Sequence, residues 1–350
     1  MILIVNNGAA YFAALNTGRG FISYFSEIFD EIDTVYVIKG GSGTGKSRLM
    51  RQISAAANQR GYPCEEFLCS SDPTSLDGVI IPRLGVAVVD GTLPHAYEPK
   101  MIGAKERIID LSAFLDCARL KENKERIEAL VTAKGRRYRQ IYEYLSVLDT
   151  YDRIIGGLLK EAVSRDKLQK AVSKSALWLK KSETYVKRTR IRSAFGTGGV
   201  TVLNTYALRA KKRFAIADLC GLGHEYLLSL LEYSEREGIS FDVSYDPFCP
   251  DSPDALYYPE TDVAFYIGSE DGFDETLINM RRFVDDTRLR PFKPEIRAVN
   301  KLKSGVKAQL ALDFAAVSRL HFALEEIYSS SMNFASKEKL TDKLIFEIFK

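Results

Sequence analysis

The chain has 350 residues, 46% of them hydrophobic and 27% charged, so it can bury a substantial core, and its length predicts two domains. A net charge of +3 with a pI near 8.4 is too mild to require nucleic acid as a partner. The five cysteines (Cys64, Cys69, Cys117, Cys220 and Cys249) form neither a disulfide framework nor a zinc-ligand spacing, which predicts a reduced, cytoplasmic setting.

The opening MILIV is too short for a signal-peptide core, and no apolar run approaches the roughly 20 residues of a membrane span. Val35 to Ile38 are apolar and rich in β-branched residues, as expected of a buried parallel strand. Then comes KGGSGTGKS (39–47), in which Gly40-x-x-x-x-Gly45-Lys46-Ser47 meets the phosphate-loop (Walker A) pattern in full. Leu49, Met50 and Ile53 follow at helical spacing, and Gly61 supplies a stop.

Strand, glycine loop and helix thus occur in the order that phosphate binding needs. Gly40, Gly41, Gly43 and Gly45 let the backbone bend at little steric cost and turn its N–H groups inward. The expected nucleotide contacts are Gly40, Gly41, Ser42, Gly43, Thr44, Gly45, Lys46, Ser47 and Arg48. Lys46 would reach the β- and γ-phosphates, and the Ser47 hydroxyl would ligate Mg²⁺. The bland alternative is a glycine-rich turn with a surface lysine; the flanking strand and helix weigh against it.

FLCSSDPTSLDGVIIP (67–82) reads as a short strand entering a loop that holds Asp72 and Asp77. In a parallel sheet ligands collect at the carboxyl ends of strands, so this loop should face the phosphates. Either aspartate could orient water or a substrate hydroxyl, and either could equally cap a helix or form a turn. GVAVVDG (85–91) is an apolar strand ending in Asp90, the form of a Walker B acid that holds the metal. The alternative is an aspartate that opens the following turn. His95, just beyond, could face the site, although a lone histidine is more often a hydrogen-bonded structural residue.

From about Ile108 to Thr189 the pattern predicts a helical pair attached to the first α/β unit, weakened or bent at Gly156 and Gly157. GVKAQLALDFAAVSRLHFALEEIY (305–328) is its expected counterpart in the second half. Its tyrosines and leucines read as packing between helices rather than a base-stacking platform. Arg136, Arg137, Arg139, Lys180, Lys181, Lys187, Arg188, Arg190 and Arg192 make this the basic part of the chain. They read as a solvated face plus an interdomain linker, KRTRIRS (187–193). An anionic partner such as nucleic acid, or an arginine finger across an interface, are the sharper alternatives.

An internal repeat connects the halves. Residues 35–50 lie over FAIADLCGLGHEYLL in the second half, and SLDGVIIPRLGVAVVDG (75–91) lies over SPDALYYPETDVAFYIG (252–268). NTGRGF (16–21) also resembles GTGGV (196–200). In the second copy Gly40 faces Asp218, Lys46 faces His224, Ser47 faces Glu225 and Asp90 faces Ile267. A glutamate at the magnesium-hydroxyl position repels a phosphate, and histidine is too short to copy the reach of Lys46. The second copy is therefore expected to lack the chemistry. Asp77 persists as Asp254 while Asp72 becomes Cys249, which ranks Asp72 above Asp77 for the reaction centre.

These residues resemble a known group, an uncharacterised bacterial family of tandem (duplicated) P-loop ATP-binding proteins. The likeness rests on KGGSGTGKS (39–47), on CSSDPTSLDGVIIPRLGVAVVDGTLPH (69–95) and on the duplicated layout. It implies ATP binding but no particular reaction. Members commonly keep a phosphate loop in the second half too, and this sequence departs there.

The expected fold is α/β, with duplicated P-loop NTPase-type three-layer parallel sheets and appended helical hairpins. Residues 1–190 would form the active unit and 191–350 the degenerate repeat. The expected function is ATP binding with Mg²⁺-dependent hydrolysis at one site, with Lys46, Asp72 and Asp90 in the reaction and Ser47 and Asp90 on the metal. A small-molecule or nucleotide kinase and a nucleotide-gated switch are the alternatives. No membrane is expected, nucleic acid is disfavoured, and a protein partner or homo-oligomer is left open.

Overall fold

The computed structural model of the protein describes residues 2–3, 9–93 and 97–350, so His95 lies outside the described residues. The first half begins with strands β1 (Ile2–Leu3), β2 (Ala9–Phe12), β3 (Ala14–Thr17) and β4 (Gly20–Ser23). Helix α1 (Phe25–Phe29), β5 (Thr34–Lys39), α2 (Lys46–Gln59), β6 (Glu65–Leu68), β7 (Leu76–Ile81), β8 (Val86–Asp90) and β9 (Glu106–Asp110) follow. Three helices close it: α3 (Cys117–Glu122), α4 (Lys124–Leu159) and α5 (Arg165–Ala176).

The second half repeats the order after β1. Its elements are β10 (Lys187–Thr189), β11 (Ser193–Gly196), β12 (Gly199–Leu203), α6 (Thr205–Arg209), β13 (Lys212–Ala217) and α7 (Leu222–Glu237). Next come β14 (Phe241–Asp246), β15 (Cys249–Tyr258), β16 (Val263–Ile267), β17 (Thr276–Asn279), α8 (Asp286–Leu289), α9 (Lys293–Ser330) and α10 (Phe334–Ile348).

The two six-stranded sheets have equivalent strand orders, β2-β6-β7-β8-β5-β9 and β10-β14-β15-β16-β13-β17. The class is α/β with two mostly parallel sheets, as a duplicated α/β fold requires. The sheets are not wholly parallel, however: β7 and β15 run antiparallel to both of their neighbours. The cause is loop length. A parallel crossover needs a dozen or more residues, and the turns on either side of β7 are far shorter.

Strand alternation explains how the layers stack. In β5, Tyr36 and Ile38 face one core while Val35 and Val37 face another; in β16, Val263 and Phe265 separate from Ala264 and Tyr266 in the same way. The inner faces of both sheets meet in one apolar layer, which includes Val37, Val89, Tyr206, Ala215 and Tyr266. The two sheets therefore share a core, where the sequence reading expected a separate three-layer sandwich in each half. Each outer face carries its own helices. Leu49, Met50 and Ile53 of α2 cover the first sheet, and Leu227, Leu230 and Leu231 of α7 cover the second.

The segment 187–193 is no solvated linker. Its residues 187–189 form β10 and pair with β14 in the second sheet. Arg190 and Arg192 are buried, and they pair with Glu65 and Glu270. Asp242, also buried, is held by both Arg188 and Arg209, and Arg209 also donates to the Tyr11 hydroxyl. Burying these charges is tolerable because each is paired. Two of these arginines, Arg190 and Arg209, thus reach Glu65 and Tyr11 of the first half.

The helices also differ from the expected local pair. Residues 108–110 lie in β9, and α4 then runs unbroken through Gly156 and Gly157. It crosses α9 with Ile141, Leu145 and Leu148 against Leu310, Phe314 and Val317, each set at the four- and three-residue spacing of one helix face. Beyond the crossing the chain changes sides. Leu168 and Val172 of α5 pack on the second sheet with α7, while Leu344 of α10 packs on the first sheet with α2.

Equivalent backbone contacts lock this exchange. The Asp116 N–H donates to the Ser331 carbonyl at 2.8 Å, and the Asp285 N–H donates to the Ala162 carbonyl at 2.8 Å. Both aspartates also cap the short helix that follows them. All five cysteines are free. Among the described residues, no helix is long and apolar enough to cross a membrane.

Candidate functional site

Between β5 and α2 the chain turns through Gly43 (φ +73°) and Gly45 (φ +84°), conformations that favour glycine, and α2 starts directly at Lys46. Thr44 is buried and its hydroxyl donates to the Gly41 carbonyl at 2.9 Å. The Lys46 Nζ folds back onto the same turn and donates to the Gly40 and Gly41 carbonyls, each at 2.8 Å. It stands 3.6 Å from Asp90 Oδ2 at the end of β8, and both side chains are nearly buried, 13% and 10% exposed. A neighbouring bond closes the turn: the Thr92 hydroxyl donates to the Gly40 carbonyl, and the Thr92 N–H donates to Asp90 Oδ1.

Most of the sequence-predicted residues converge on one cavity of about 600 Å³, although Gly40 and Gly41 do not line it. Ser42 to Arg48, Asp72, Asp77 and Asp90 all line it. The Ser47 hydroxyl accepts the Leu76 N–H at 3.0 Å, which ties the start of α2 to β7. Asp77 is buried on β7, and continuing the Gly78–Val89 register sets it across from Asp90. Asp72 has a local task. It accepts from the Thr74 N–H at 3.1 Å and the Thr74 hydroxyl at 2.7 Å, the geometry of a turn-forming aspartate. Arg48 is 71% exposed at the rim, with its Nε 3.5 Å from Glu338.

The far wall of the cavity comes from helices that no motif indicated. Helix α9 lies on the crest of the loop: a Cβ on Gly43 would stand 2.7 Å from the Glu325 carbonyl oxygen, and one on Gly41 would stand 2.8 Å from the Tyr328 ring. Lys134 enters from α4, and His321, Phe322 and Glu325 enter from α9. Lys134 Nζ is 3.2 Å from His321 Nδ1, and His321 Nε2 is 3.4 Å from Glu325 Oε1. The His321 hydrogen bond holds the Glu325 carboxyl below its usual range. The one signal for these residues was the longer repeat, in which AFLDCARL (113–120) matches RFVDDTRL (282–289) and carries the alignment into α4 and α9.

The second half places an equivalent loop over a second cavity of about 480 Å³. Here the backbone amides are already engaged. Asp218, opposite Gly40 in the repeat, accepts the Gly221 N–H at 2.9 Å and the Gly223 N–H at 2.6 Å. Its carboxylate occupies loop donors, whereas the equivalent position in the first half is Gly40, which has no side chain. Glu225 is paired with Arg165 from the exchanged helix α5, and His224 Nδ1 donates to the Pro253 carbonyl at 3.1 Å.

With this geometry in hand, comparison offers no shortcut. No family model, curated protein or solved structure matches the chain. The functional reading rests on the site itself.

The contact between Gly43 and α9 is directly testable. Gly43→Ala puts a Cβ both at positive φ and inside the helix backbone, so it should cost about 2–4 kcal/mol of stability. A denaturant melt unchanged from the native protein would show that α9 does not rest on the loop.

Proposed function

We propose that the chain binds Mg·ATP at the first glycine loop and hydrolyses it there, while the second loop binds no nucleotide. One observation carries this reading. A lysine at the start of a helix, a glycine turn with two residues at positive φ, and a strand-end aspartate 3.6 Å from that lysine face one cavity. Backbone amides at a helix start favour a phosphate group, and Lys46 adds a full charge beside them. ATP binding is also what the resemblance to duplicated P-loop ATP-binding proteins implies.

The residues present suit magnesium. Mg²⁺ is usually held by one or two carboxylates, a hydroxyl, waters and substrate phosphates, not by an all-protein cage. Ser47 and Asp90 would supply the protein oxygens, and the ion would neutralise charge on the β- and γ-phosphates. Lys46 would orient the phosphates, and the helical wall would limit access of bulk water to the transferred group. Adenine is preferred because the chain has no Asn-Lys-x-Asp element; NKLK (300–303) lacks the aspartate.

A switch with little turnover is the second reading, favoured by the direct contact of α9 on Gly41 and Gly43. A ligand in the loop would press on a helix that belongs to the other half. Incubation with γ-labelled MgATP separates the readings. Free labelled phosphate supports hydrolysis, a labelled acceptor supports a kinase, and tight binding without conversion supports the switch. No binding at all would refute the proposal.

A further inference from the structure

The cavity over the first loop holds a cation that the glycine motif does not supply. Lys134 and Lys303 are each the eleventh residue of their helix, counted from Lys124 and Lys293. His321 and Asp152 are each the twenty-ninth. At one crossing of α4 and α9, Lys303 pairs with the carboxylate of Asp152. At the equivalent crossing, Lys134 meets the imidazole of His321 at 3.2 Å. An ammonium only donates, so Nδ1 accepts and the ring proton sits on Nε2, 3.4 Å from Glu325.

The consequence is an electrostatic difference at the two crossings: Lys303 is paired directly with a carboxylate, whereas Lys134 meets a ring, and the nearest carboxylate, Glu325, stands behind it where the other crossing has Gly156. Over the second loop an aspartate neutralises the lysine, and Asp218 occupies the loop amides. Over the first, glycine stands where Asp218 would be, and the lysine's direct partner is the His321 ring, with the Glu325 carboxylate behind it. As an ammonium Lys134 has two further donors, in the same cavity as Lys46. We propose that Lys134 is a second phosphate-contacting cation, set across the cavity from Lys46 to hold the terminal phosphate of a nucleoside triphosphate, with His321 as its positioning residue. The inference rests on the first loop being a nucleotide site and adds what that site distinguishes.

Burial pushes the Lys134 ammonium below the ordinary lysine range; Glu325 opposes the shift and the Lys46 charge adds to it. A phosphate between two such cations relieves their repulsion and restores the lost solvation. Lys46 would act on triphosphate and diphosphate alike. Lys134 would act only where a third phosphate reaches it.

The test is calorimetric titration of the full chain with MgATP and MgADP. The native protein should bind ATP more tightly than ADP. Lys134→Ala should weaken ATP binding about 10- to 100-fold, the range for a charge-assisted hydrogen bond, and change ADP binding less than about threefold. Lys134→Arg should recover most of the loss. His321→Asp copies the carboxylate that quenches Lys303, and it should lose ATP preference although Lys134 remains. His321→Gln can accept from Lys134 without adding charge, so it should lose less. Equal losses for both nucleotides in Lys134→Ala, no loss in either, or full ATP preference in His321→Asp would each overturn the inference. A native chain that binds neither nucleotide would overturn the reading of the loop as well.

Discussion

Lys46→Ala should reduce MgATP affinity by about 100-fold or more and bring turnover to background, since a charged hydrogen bond contributes about 1.5–3 kcal/mol and Lys46 would make several. The side chain is nearly buried and directed by three groups, the Gly40 and Gly41 carbonyls and Asp90. It is therefore already fixed beside the loop, and little side-chain entropy remains to be lost when a phosphate arrives. Alanine removes the charge and leaves Asp90, among the described residues, with the Thr92 N–H. A modest fall in melting temperature should accompany the loss of binding, while the far-ultraviolet circular dichroism stays native. Titration calorimetry on that folded variant checks the expectation, and unchanged affinity would remove Lys46 from the site.

Leu344→Ala should destabilise the whole chain by about 2–5 kcal/mol, the cost of a large cavity in a packed core. Leu344 is 4% exposed on α10, the last helix of the second half, yet it packs with Leu49, Met50 and Ile53 beneath the first loop. Its counterpart in the exchange is Leu168 of α5, 1% exposed against the second sheet. If the halves are interleaved as described, either substitution should shift one cooperative transition in urea. Two separate transitions, with only one of them moved, would mean that the halves fold independently.

The glycine loop was legible because its chemistry is local. A strand, a turn and a helix start are consecutive in sequence, so 35–53 carried almost all the information needed to place Gly40 to Ser47. Asp90 was legible for a related reason: β8 pairs with β5 directly, and its last residue lies opposite Ile38. The antiparallel course of β7 was hidden because the segment LDGVII (76–81) suits either direction. Composition also misled at 187–193. Arginines there look solvated until Glu65, Asp242 and Glu270, all distant in sequence, are found to pair with the segment.

The wall of the site was the least legible part. Lys134 and His321 lie 187 residues apart and meet only because α4 and α9 cross. A hydrophobic period gives the buried face of each helix but not its partner. Repeat analysis went further than periodicity. The second loop, read as a copy without its chemistry, has Asp218 on its own amides, and the comparison brought out what Lys134 has and Lys303 lacks.

The central claim is one nucleotide site per chain, in the first half. Calorimetric stoichiometry tests it most directly: MgATP titrated into the native chain should saturate at one equivalent, and Lys46→Ala should bind none. Two equivalents, or one equivalent that survives Lys46→Ala, would contradict it.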